Sequence, residues 1–254
     1  MLGEERRQYI LNLINKTGSV KAIDIARTLN LSEITIRRDL DRLAKKGLIK
    51  RTHGGAINNF SVGYEMKFDV QKDKFIEEKK RIALAAASLI EEDDVILLEA
   101  GTTGYQTAVN ITSKKNLTVI TNSCDIATML GSTNPDYKII LSGGILNSQT
   151  RSLIGPVADS TFRTTFTDKA FIGITGIDAY KGITAVDPIE AQTKKYMISS
   201  ARNVIALCDS SKIGHISVNF VAPLKAVNTF ITDSDADKEF IEKLKENDIE
   251  VITV

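Results

Sequence analysis

Thr35, Arg38, Arg42 and Lys45 fall at i, i+3, i+7 and i+10, so they line one face of a helix, with Arg37 beside them. An arginine fork can bind guanine O6 and N7, a threonine methyl can meet a thymine methyl, and any of these cations can neutralise phosphate. The stripe is suited to recognising nucleic acid. A second set is scattered: Gly101-Thr102-Thr103, Thr121-Asn122, Gly143-Gly144, and Asp209 with Lys212. Each follows a short apolar run. Small residues expose backbone amides, hydroxyls add donors, Lys212 supplies a cation and Asp209 accepts from sugar hydroxyls. Gly, Thr, Ser and Asn also make tight turns. Four such loops after consecutive strands favour one small phosphorylated ligand.

The first set needs a scaffold within residues 1–57. Glu4–Asn15 has helical apolar spacing at Tyr9, Ile10, Leu13 and Ile14, and Gly18 is the expected stop. Lys21–Leu29 repeats the pattern, and Asn30-Leu31-Ser32 turns. Ser32 is a suitable N-cap for a third helix, Glu33–Lys46, whose Ile36, Leu40 and Leu43 face inward. Asp39 and Asp41 are expected to orient the arginines through local ion pairs, and Gly47 to end the helix. Leu48–Ile57 reads as two strands around a glycine turn, a basic wing after a recognition helix. The DNA-binding candidates are Ser32, Thr35, Arg37, Arg38, Arg42, Lys45, Arg51, His53 and Gly54.

The charge distribution agrees. The 254 residues carry a net charge of +1. Residues 1–57 hold 12 Lys/Arg against 6 Asp/Glu, whereas 58–254 hold 21 against 26, so the average hides a basic end. Aromatic residues are 6% of the chain, with no Trp, and Tyr9 is the one aromatic in the basic end, which argues against base stacking on single-stranded RNA. The longest mostly apolar run, Ile82–Ile90, is far short of the ~18 residues of a membrane span. The opening MLGEERRQYI lacks a signal-peptide pattern. Cys124 and Cys208 have no CxxC spacing, and His53 and His215 have no companion ligands. A cytoplasmic chain without metal, disulfide or cofactor is expected.

Residues 58–74 read as a linker, and 75–254 as an α/β domain with a largely parallel sheet. The expected strands begin at Val95, Leu117, Tyr137, Ala170, Val204, Thr229 and Ile249; Lys80–Ile90 and Pro188–Ala201 are among the helices. No GxGxxG, Walker GxxxxGK[ST] or GxSxG occurs, so NAD, ATP and a nucleophile elbow are not expected. Both cysteines read as inert thiols after apolar strands.

Ile34-Thr35-Ile36-Arg37-Arg38-Asp39-Leu40, followed by Arg51-Thr52-His53-Gly54-Gly55-Ala56, closely resembles the DeoR-type bacterial repressors. The remainder resembles their effector domain at Glu78-Lys79…Ile82-Ala83, Ala100–Thr103, Val119–Ser123, Leu141–Gly144 and Asp209–Lys212. The resemblance implies a fold similar to ribose-phosphate isomerase and CoA-transferase domains, and a phosphorylated sugar or related intermediate as effector. It makes Lys79, Asp209 and Lys212 effector-response residues. Lys67, where relatives often carry Arg, and Glu99, where many have Asp, depart from the pattern. The expected function is a repressor of a carbohydrate-utilisation operon, working on operator DNA as a homo-oligomer, dimer or tetramer. The alternative is a sugar-phosphate isomerase or transferase carrying an accessory nucleic-acid-binding domain.

Overall fold

The computed structural model describes residues 3–17, 19–45, 48–58 and 67–254. The expected helix stops at Gly18 and Gly47, and residues 59–66 of the linker, lie outside these. The chain divides into two compact units, 1–66 and 67–254.

The first unit contains α1 (Gly3–Thr17), β1 (Ser19–Lys21), α2 (Ala22–Leu29), α3 (Glu33–Lys45), β2 (Ile49–Thr52) and β3 (Gly55–Asn58). Ile10 and Ile14 of α1, Ala22 and Ile25 of α2, and Ile36, Leu40 and Leu43 of α3 close one core, with Ile49 and Ala56 of the wing beneath. Each helix thus buries its apolar stripe and leaves the other face to solvent. Asn30 ends α2 in the left-handed region (φ 52°), which an Asn side chain tolerates, and so turns the chain into α3. The sequence reading missed β1, three residues that pair antiparallel with β3 and complete a sheet of order β1-β3-β2.

The second unit begins with α4 (Phe68–Gln71), α5 (Ile76–Ser88), β4 (Val95–Leu98), α6 (Thr102–Asn110), β5 (Thr118–Thr121), α7 (Cys124–Thr133) and β6 (Lys138–Leu141). A short ribbon follows, β7 (Ile145–Asn147) with β8 (Ser152–Ile154), then α8 (Pro156–Thr164) and β9 (Thr167–Gly173). Next come β10 (Gly176–Asp178), β11 (Gly182–Ala185), α9 (Pro188–Ser199), β12 (Ala201–Leu207), β13 (Asn219–Ala222), β14 (Thr229–Thr232), α10 (Lys238–Glu246) and β15 (Glu250–Thr253).

Seven strands form an all-parallel sheet of order β15-β14-β12-β9-β4-β5-β6. Its strands are apolar on both faces, as a doubly covered sheet requires. Leu97, Ala170, Ile172 and Phe230 enter one core, while Ile96, Leu98, Phe171 and Ile231 enter the other, following the two-residue period of the strand. The chain starts at β4, builds outward to β6, then returns and builds outward from β9. The order reverses between β4 and β9, and ligands of open α/β sheets bind at the carboxyl ends beside such a reversal. The sequence reading missed the small antiparallel sheet β10-β11-β13. Its strands are only three or four residues long, and β13 joins β11 across α9 and β12, so local periodicity does not show the pairing.

Candidate functional site

Arg38, Arg42 and Lys45 are exposed along α3, opposite its buried Ile36, Leu40 and Leu43. Ser32 caps the helix: its Oγ accepts from Thr35 N–H at 3.2 Å and lies 2.8 Å from Thr35 Oγ1. Arg37 is held by Glu33, Nη2 to Oε1 at 2.7 Å. The two aspartates have other partners than the stripe. Asp39 is buried and accepts from Arg6 Nε at 2.5 Å and Arg7 Nη1 at 3.3 Å, tying α3 to α1. Asp41 accepts from Arg51 Nε at 2.8 Å, and Arg51 also donates to the Gly55 carbonyl, so this arginine braces the wing.

His53 and Gly54 are exposed at the tip between β2 and β3. The paired glycines differ. A Cβ on Gly55 would collide with the Val20 carbonyl, so Gly55 serves the β1–β3 pairing. A Cβ on Gly54 would meet nothing within 4 Å. The fold does not need a glycine there, whereas bare backbone suits close approach to a phosphate. Sequence reasoning passed over Ile34, which lies in the first turn of α3 and is 65% exposed. An isoleucine one step outside the inward-facing set was the available signal.

In the second unit, Lys79 of α5 is buried and donates from Nζ to the Gln71 carbonyl at 2.6 Å. Asp209 is buried just past β12 and accepts from Ser211 Oγ, with Lys212 in the next turn. These charges feel one another. Burial, then Lys212, brings the Lys79 ammonium down to about 8 against the opposing pull of Asp209. Lys74 is also lowered to about 8, by burial first and then by Lys212 and Lys79. His215 is pushed down by burial and by Lys212. Three lysines therefore share the field of one aspartate in a poorly solvated place, which favours a bound anion. Lys74 was missed because it falls in a stretch without periodicity, and only the fold brings it near Asp209 and Lys212.

Thr102 and Thr103 are buried in the first turn of α6, with Gly101 before them. Asn122 accepts from Ala100 N–H at 2.7 Å and donates to the Leu153 carbonyl at 3.3 Å. Thr121 Oγ1 accepts from Ser123 N–H at 3.0 Å. Asn122 thus holds the loop after β4 in shape, and Thr121 the loop after β5. Gly143 and Gly144 have φ of 69° and 117° beside Val157 and Ala158, so a left-handed turn accounts for them. Four strand spacings, about 19 Å, separate the ends of β6 and β12. The Gly143-Gly144 loop and the Asp209–Lys212 turn thus leave the sheet far apart, with the Gly101–Thr103 loop between them.

At the reversal itself, Glu99 is buried against Lys194, Oε1 to Nζ at 3.0 Å. Glu99 Oε2 accepts from Gly173 N–H at 2.8 Å, and Lys194 donates to the Gly173 carbonyl at 2.9 Å. Burial raises the Glu99 carboxyl to about 7 despite Lys194. This cluster locks the ends of β4 and β9 to α9. Beside Thr102 a cleft of about 630 Å³ opens among Phe68, Lys72, Tyr105, Met129 and Arg151. That volume is typical of small-molecule sites. Cys208 is buried, whereas Cys124 is half-buried. Among the described residues no group of three or more His, Cys, Asp or Glu could hold a metal ion, and no helix is long and apolar enough to cross a membrane.

The DeoR-like helix-turn-helix domain matches residues 6–62, and the DeoR C terminal sensor domain matches residues 74–234. The chain belongs to the DeoR family. It is 34% identical to the HTH-type transcriptional regulator YulB of Bacillus subtilis, over 100% of this chain and 98% of that protein. It is also 34% identical to a lactose phosphotransferase system repressor of Staphylococcus epidermidis, over 98% of each. Among solved structures it is similar to ribose 5-phosphate isomerase from Plasmodium falciparum, with 17% identity, a TM-score of 0.39, and 53% of this chain and 52% of that one covered. As a DeoR-type transcriptional regulator, the chain carries its DNA-binding helix and wing in the first unit. The second unit, with its buried lysines, is the family's sensor domain.

Proposed function

We propose that this regulator is a cytoplasmic repressor of a carbohydrate-utilisation operon, released or engaged by a phosphorylated sugar. The observation that carries the reading is the cluster of Lys74, Lys79 and Lys212 around Asp209. A sugar phosphate brings an anion to these lysines and hydroxyls from which Asp209 can accept. The cleft beside Thr102 and the Gly101–Thr103 loop give the rest of the ligand room. On the DNA side, Arg38, Arg42 and Lys45, with Thr35, His53 and Gly54, meet operator DNA. Two heads on paired half-sites multiply specificity, so the working form is a homo-oligomer.

A route for the signal begins at Lys79. Its ammonium holds the Gln71 carbonyl, and Gln71 ends the short helix that follows residues 59–66. The same segment is pinned by Phe68 N–H on the Gln149 carbonyl at 2.8 Å and by Arg151 on Asp69 at 2.9 Å. An anion that competes for Lys79 loosens this strap next to the connection with the DNA-binding unit. A ligand shifts the two arrangements only by its difference in affinity for them, and a tenfold change needs about 1.4 kcal/mol.

The regulator reading is preferred to an enzyme because both relatives named above are regulators. Thermal-shift titration of the full chain with pentose and hexose phosphates, alongside operator binding, tests it. A phosphosugar should stabilise the protein and change operator affinity, and Lys212→Ala should abolish both responses. Turnover of a sugar phosphate without any change in operator affinity would overturn the proposal.

A further inference from the structure

The water-facing side of α3 has an isoleucine at its middle. At about 100° per residue, Ile34, Arg38, Arg42 and Lys45 fall within about 80° of one another, opposite the buried Ile36, Leu40 and Leu43. The residues that flank this face near its start are engaged with neighbours. Thr35 Oγ1 lies 2.8 Å from Ser32 Oγ, and Arg37 donates through Nε and Nη2 to Glu33 Oε1 at 2.9 and 2.7 Å. The first two turns therefore present Ile34 and Arg38 outward. Neither packing nor helix formation accounts for the isoleucine. It is 65% exposed and is not among the residues that close the core of this unit. A β-branched side chain also forms exposed helix less well than Ala, Glu, Lys or Arg.

We propose that Ile34 reads thymine: its side chain packs on the C5-methyl of a thymine in the operator when α3 lies in the major groove. The inference rests on α3 being the helix that meets DNA. The N-terminal residues of such a helix point at base edges. Those edges are lined with donors and acceptors, and the thymine methyl is their one apolar group. An isoleucine pressed onto any other edge strips water from a polar group and returns no hydrogen bond. Arg38, one turn on, serves guanine or phosphate. The cation thus supplies affinity, and the isoleucine supplies a choice between T·A and the other pairs.

Selection of duplexes from a random library by the full chain, then replacement of each selected thymine by deoxyuridine, tests the assignment. That replacement removes the methyl alone. At one thymine position it should weaken wild-type binding about fourfold, the worth of one buried methyl. Ile34→Ala should bind the thymine and uracil duplexes alike at that position and keep the wild-type response at every other. It should melt no lower than wild type, since Ala favours an exposed helical turn. A wild-type chain indifferent to every such replacement overturns the proposal. An Ile34→Ala chain that melts several degrees lower and keeps the full thymine preference also overturns it, and makes Ile34 a packing residue. Arg38→Ala separates this inference from the one beneath it. If Arg38→Ala weakens binding while Ile34→Ala keeps the thymine preference, α3 stands as the reading helix and the role of Ile34 falls. If the selection enriches no duplex, or neither variant changes binding, the reading of α3 fails and takes this one with it.

Discussion

The two units carry cations in opposite settings. In the DNA-binding unit Arg38, Arg42 and Lys45 stand in water on a rigid helix. In the sensor Lys79 and Lys194 are buried and lean on carboxylates and carbonyls. Exposed cations suit a polyanion that remains hydrated, because binding gains chiefly from released counterions. Buried cations suit a small anion that replaces the missing water, because their field is little screened and their proton affinity is already perturbed. On the proposed function, one chain reads two phosphate-bearing ligands by different physics.

The contrast is broken most directly by removing a partner from each setting. Glu99→Ala takes one carboxylate partner from buried Lys194, with Glu190 remaining at 3.7 Å, and should cost about 1–3 kcal/mol of stability in urea unfolding. Glu33→Ala, which frees Arg37 at the surface of α3, should cost only about 0.3–0.5 kcal/mol. Equal losses would erase the distinction.

Salt comes next. Two heads present six stripe cations, so operator affinity should fall about a thousandfold between 50 and 200 mM salt. Phosphosugar affinity should fall less than about tenfold over the same range. Parallel salt slopes would show that the sensor's lysines are as exposed as those of α3.

Arg38→Ala should weaken operator binding by about 5- to 150-fold while leaving the phosphosugar-induced thermal shift intact. Unchanged operator affinity would remove Arg38 from the interface.

The smallest effect is in pH. Lys74 and Lys79 stand near 8, so they are charged below that value and lose charge as pH rises through it. Phosphosugar affinity should therefore be greatest between the phosphate's own ionisation near 6 and about 8, then fall about tenfold by pH 9. Operator binding measured without the sugar should stay level over pH 7–9, since arginine keeps its proton. A level profile for the sugar would place the lysines outside the site.

Much of this molecule was legible in advance. The α3 stripe follows from a 3.6-residue period, and the sheet strands from short apolar runs separated by helices. The Ser32 cap needed only its neighbour Thr35. The local motifs around Thr35–Leu40 and His53–Ala56 carried the family. What stayed hidden depends on residues far apart in the chain. Asp39 was expected to serve its own helix, yet its partners are Arg6 and Arg7, over thirty residues earlier. Lys194 meets Glu99 from 95 positions away. Lys74 sat in a segment without periodicity.

The sequence by itself determined the elements, the basic end and the family, because helical and strand periods and a cap act between near neighbours. Only the tertiary structure decided which charges face water and which face each other. It made Gly55 a packing requirement and left Gly54 bare. Burial and long-range pairing belong to the folded chain, and they set the local dielectric on which the chemistry of a lysine or a carboxylate depends.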